Sequence, residues 1–162
     1  MLVLVDPIAL TPDALEELTA EATPALILCT NANHARAADW WRQRFAIPVA
    51  AHADAADLET RSDLALDAPH PLLAALDFIP LPGAALGEVA IHDPRGVLCI
   101  GDALIHVPPL GFAFLPDKYC ADAKLLRASL GKLLHYDFET LTFAHGLPLV
   151  ARARNRLETL LA

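Results

Sequence analysis

The chain has 162 residues, 55% apolar and 20% charged, with a formal net charge of −8; that suits one domain, residues 1–162, with a real core. The acidic balance argues against a nucleic-acid partner, because phosphate contacts need a basic face. No apolar run reaches the roughly 18 residues that a spanning helix needs, and "MLVLVDPIAL" has neither a basic n-region nor a small-residue cleavage site, so we expect no membrane partner and no signal peptide.

Taken in chain order, "MLVLVD" is a predicted buried strand, and "TPDALEELTAEA" a helix with Thr11 as N-cap and Pro12 at its first position. "ALILCT" is a second strand, "ARAADWWRQRFA" a helix in which one of Trp40 and Trp41 turns inward, and "PVAAH" a third short strand. This alternation argues for an α/β layered fold with a parallel portion. "RSDLALDAPHPLLAALDFIPLPG" carries turn signals and short strands, and "GEVAIHDPRGVLCIGD" two strands joined by a turn at Asp93-Pro94-Arg95-Gly96. "ALIHVPPLGFAFLP" reads as a proline-interrupted loop, so apolar that it must cover a pocket or another copy of the chain. "DAKLLRASLGKLLHYD" is an amphipathic helix, "TLTFAHG" a last strand, and "ARARNRLETLLA" a last helix whose arginines form a solvated face. Cys29, Cys99 and Cys120 are odd in number and far apart; the first two sit in apolar runs, where a free thiol is a small hydrophobe. A reducing cytoplasm is therefore the expected compartment.

Four turns at strand ends concentrate the polar chemistry: "TNANHAR", "LPGAALGE", "IGDAL" and "FAHG". In this order they resemble the metallo-β-lactamase superfamily, whose turns read Thr-His-x-His-x-Asp-His, Pro-Gly-His, Gly-Asp and His-Gly. The resemblance implies a four-layer αββα sandwich and a metal-dependent hydrolase. It also implies an N-terminal sheet shortened here, since the strand hairpin usual ahead of "LVLVDP" has no room. Set against the family pattern, Asn31 and Asn33 stand where two histidines bind metal, Ala35 replaces the aspartate, Arg36 the next histidine, and Ala84 the histidine after Gly83. Asp102 and His145 keep family ligand types.

Those departures weigh against a zinc cofactor, since a catalytic zinc takes about three protein ligands, mostly imidazole. A guanidinium carries only donors, and about 4 Å from a dication at an effective dielectric near 20 its repulsion is about 8 kcal/mol. Arg36 is instead expected to pair with Asp102 as a fixed replacement cation. His34 is either a displaced ligand or acid/base group near Asp102 and His145, or a helix-start residue with local hydrogen bonds and Asn33 as cap. His145 either serves the site or braces the turn before Gly146. His52, His70, His92, His106 and His135 are expected at the surface or rim, His106 being the outside candidate for a ligand. The leading expectation is a polar pocket of Asn31, Asn33, His34, Arg36, Asp102 and His145, with Ala84 beside it, suited to an anionic or ester-like small molecule. The alternative is a hydrolase with one metal on Asp102, His145 and either His34 or His106. A homodimer through the 107–115 loop or the N-terminal edge is a further expectation.

Overall fold

The computed structural model describes residues 2–162; Met1 of the first predicted strand lies outside the described residues. β1 (Leu2–Val5), β2 (Pro24–Leu28), β3 (Val49–Ala51) and β4 (Leu64–Ala65) form a parallel sheet in that order, with β1 at an edge. α1 (Pro12–Glu21) links β1 to β2, and α2 (Ala38–Phe45) links β2 to β3. The second sheet has the order β10-β7-β6-β5, from Thr140–Phe143, Val97–Ile100, Val89–Asp93 and Asp77–Pro80. Only its β10–β7 pair is parallel.

Alternation along the strands builds the layers. On β2, Leu26 and Leu28 meet Val89 and Ile91 of the second sheet, while Ile27, and Cys29 just beyond the strand, pack with Leu15 of α1 and Trp41 of α2. A strand buried on both faces has to read as a continuous apolar run, which is why "ALILC" shows no polar alternation. On the far side, Leu98 and Ile100 of β7 and Leu141 of β10 pack under α3 (Ala123–Leu130) and α4 (Ala153–Leu161). The result is the four-layer α/β/β/α order.

Thr11 caps α1 through its hydroxyl, 3.4 Å from the Ala14 N–H, and Pro12 follows as expected. Trp41 is the inward tryptophan, its Nε1–H donating to Ile8 O at 2.9 Å, while Trp40 stays exposed. Three local expectations change. The helix expected from residue 35 begins at Ala38, because Arg36 takes a left-handed φ of 38° that no helix continues through. The third helix ends at Leu130, and its expected second half is a 3-10 turn over Gly131–His135. The proline-interrupted "loop" is a hairpin, β8 (Leu104–Val107) against β9 (Gly111–Phe114). Its prolines, 108 and 109, fall in the turn, where the missing N–H groups cost the ladder nothing. Among the described residues no helix is long and apolar enough to cross a membrane.

Candidate functional site

The ends of β1, β2, β7 and β10 converge on one rim, because β1 and β2 run parallel, as do β7 and β10. β6 runs antiparallel to β7, so the residue ahead of β6 arrives at the same rim. Asp6, Thr30, Asn31, Glu88, Asp102 and His145 are delivered there, and the turn after β2 folds His34 back among them.

Asp6 is buried at the end of β1. Its carboxylate accepts the Thr30 N–H at 2.8 Å and the Thr30 hydroxyl at 2.6 Å. His34, 2% exposed, places Nδ1 2.8 Å from Asp6 Oδ2 and Nε2 3.3 Å from Asp102 Oδ1. The same Asp102 oxygen lies 3.1 Å from Nε2 of His145, whose side chain is half exposed. Burial opposes a charge on His34, but its hydrogen bonds to Asp102 and Asp6 prevail and raise its pKa to about 9. Asp102 moves the other way: burial would raise its pKa, yet the hydrogen bond from His34 and the charges around it hold the group below the usual carboxylate value. At neutral pH the centre is thus an imidazolium between two carboxylates.

Glu88 supports that centre from below. It is 3% exposed and accepts from Asn31 Nδ2 at 2.6 Å, the Asp102 N–H at 2.9 Å and the Ala103 N–H at 3.3 Å. Burial pushes its pKa up to about 8 against the pull of those donors. Asn31 also donates to Asp102 Oδ2 at 3.1 Å and accepts the Asn33 N–H at 2.8 Å. It therefore acts as a hydrogen-bond bridge with every polar atom of its amide in use.

The structure redistributes the roles expected of the predicted residues. Asn31, His34, Asp102 and His145 come together. Arg36 does not pair with Asp102: it is exposed, and its Nη2 lies 3.5 Å from His145 Nε2. Asn33 caps no helix, since α2 begins five residues later without a side-chain cap. Ala84 is buried in the apolar cluster under α3, and its neighbour Ala85 faces the cavity instead. His106 does not join His34, Asp102 and His145: its Nδ1 is 2.7 Å from Leu147 O, and its backbone braces the turn holding His145. His92, expected at the rim, is buried between Asp77 and the Asp137 carbonyl. Asp6 and Glu88 were not anticipated. The signal available for both was an acid directly abutting an apolar run, "LVLVD" and "EVAI".

A cavity of about 570 Å³ opens beside Asp102 and His145. The β8–β9 hairpin and the segment after it supply its wall, including Ile105, Val107, Leu110, Leu115 and Tyr119. The apolar segment of the sequence therefore lines a pocket, the first of its two expected roles. Ligand-type atoms of His34, Asp102 and His145 lie within 4.8 Å of one another, a grouping of metal-ligating residue types among the described residues.

No family model and no curated protein matches the chain. Solved structures do. The BLEG-1 B3 metallo-β-lactamase superposes with a TM-score of 0.72 at 23% identity, over 90% of this chain and 81% of that one. TTHA1623, in a di-iron-bound form, gives 0.64 at 28% identity, over 89% and 81%. A metallo-β-lactamase from Erythrobacter litoralis gives 0.66 at 19% identity, over 98% and 75%.

Proposed function

The chain has the metallo-β-lactamase fold, and from that premise we propose that its centre works without a catalytic zinc and that the adjoining cavity binds a small organic molecule. One observation carries this reading: both ring nitrogens of His34 face carboxylates, at 2.8 Å and 3.3 Å. An imidazolium has no lone pair to give a metal, and it already supplies the positive charge that Asp102 needs. Without His34, the grouping falls to Asp102 and His145, short of the usual three protein ligands. Arg36, 3.5 Å from His145 Nε2, adds a second fixed cation where a dication would have to enter. The residues present do not fit the group that the fold implies.

Binding is the role that the remaining geometry supports. Asp102 and His145 give the cavity one polar end and the hairpin gives it an apolar wall, the usual composition of a small-molecule site. The 4.8 Å grouping favours a second reading, a hydrolase with one metal on these three residues. That reading requires His34 to surrender its proton while facing two carboxylates. The three cysteines, all free thiols, support a reducing compartment, and we assign the protein to the cytoplasm.

Elemental analysis and zinc titration of protein purified without a polyhistidine tag decide between the two. We expect zinc far below one per chain and no stoichiometric uptake. One tightly held metal per chain, with ester, thioester or phosphodiester turnover that a chelator abolishes, would overturn the proposal.

A further inference from the structure

We propose that the cavity takes an amphipathic monocarboxylate, its head on Arg36 and His145 and its apolar tail along the β8–β9 wall. This rests on the metal-independent reading of the same site and adds the ligand class.

The head group follows from an unused cation. Arg42, Arg95 and Arg127 each pair with an aspartate, and Arg44 and Arg156 lie over aromatic rings; Arg36 does not itself line the cavity but touches His145, which does. Arg36 has no acidic partner among the described residues, and its one side-chain hydrogen-bond contact is the 3.5 Å approach to His145. It stands exposed on a left-handed backbone, a strained conformation for a non-glycine residue. The guanidinium thus keeps most of its planar donor fork for a ligand, and a carboxylate matches that fork in shape and charge.

Charge sets the limit on the other side. Asp102 lies at the same end of the cavity, 3.1 Å from His145. A dianionic phosphate monoester meets that carboxylate with twice the charge of a monocarboxylate, and a neutral alcohol leaves Arg36 unused. A singly charged planar head is the class that satisfies both neighbours. The tail follows from the wall. Leu110 and Tyr119 line the cavity yet remain 57% and 63% exposed, so an apolar chain laid along them and along Val107 and Leu115 would remove apolar surface from water.

The test is calorimetric titration of protein verified as zinc-free, in chelator and below micellar concentrations. Hexanoate, octanoate and decanoate are compared with the matching 1-alkanols and with decyl phosphate. We expect each added methylene to tighten carboxylate binding about fourfold. We expect Arg36→Gln to weaken the carboxylates at least about tenfold and to leave the alkanols unchanged. Because Arg36 is exposed and carries no part of the core, the variant should keep the parent's circular dichroism and melting curve. Alkanols binding as tightly as carboxylates, decyl phosphate binding more tightly, or an Arg36→Gln variant that binds normally would each overturn the ligand class. Absence of binding by zinc-free protein would also overturn it and leave the metal-independent reading standing. Stoichiometric zinc in the purified protein would instead remove the reading beneath it.

Discussion

His34 is the residue on which the centre turns. Its side chain is 3% exposed and that of Asp6 is 5% exposed, so water does little to screen the Asp6 carboxylate once the imidazolium is removed. His34→Gln can donate through only one end of its amide and brings no charge. We expect it to cost about 3–5 kcal/mol in urea unfolding at pH 7, the range for breaking one partner of a buried ion pair. A loss no larger than that of a surface change, about 0.5 kcal/mol, would show that the two carboxylates do not depend on it. Arg36 is the useful contrast. Its loss is expected to be nearly silent in stability, because its side chain stands in solvent beside His145.

At the scale of elements, the turn between β7 and β8 must let the backbone of Gly101 pass against three site residues. A Cβ at Gly101 would run into Thr30 Oγ1 and stand 2.8 Å from Glu88 Oε1 and 3.0 Å from Asn31 Nδ2. These side chains are held by their own hydrogen bonds, so they cannot move aside without loosening the network. Gly101→Ala is expected to lower stability by about 1–3 kcal/mol, as overpacking does, and to broaden the NMR signals of Asn31 and His145. An alanine variant as stable as the parent would mean that the turn has slack that these distances deny. The β8–β9 hairpin makes the complementary point. It is held by cross-strand pairs from Leu104↔Phe114 to Val107↔Gly111, and its first strand and turn supply part of the cavity wall, so one local pairing shapes the cavity.

For the whole molecule, the buried titratable groups set how stability depends on pH. His34 titrates near 9 in the folded chain against 6.5 as its ordinary value. Its contribution is therefore complete below about pH 6.5 and is lost as pH rises through 9. Glu88, at about 8 against 4.5, has the same sign, because the folded state again holds the proton more tightly. Asp102, held below 3.8, acts the opposite way, and its contribution is lost only as the solution becomes strongly acidic. We therefore expect the melting temperature to fall steadily between pH 5 and pH 9, with Glu88→Gln flattening the lower part of that slope. A melting temperature that climbs across this interval would contradict both assignments.

The sequence alone determined the strand and helix alternation of the first sheet and the four turns that carry polar residues. It also set Asn31, Asn33 and Ala84 where the resemblance implies histidine, and Asp102 and His145 where it implies metal ligands. These are local or chain-order properties: periodicity, capping residues and turn chemistry act over a few residues and are visible there. Only the tertiary structure decided which cation occupies the centre. Arg36 was the natural candidate by position, but its left-handed backbone leaves the side chain in solvent, and His34 takes the place between Asp6 and Asp102. Asp6 and Glu88 became site residues through contacts spanning 28 and 57 positions, to His34 and Asn31 respectively. No window of sequence spans such contacts, because they exist only once parallel strands from both sheets bring their ends to one rim.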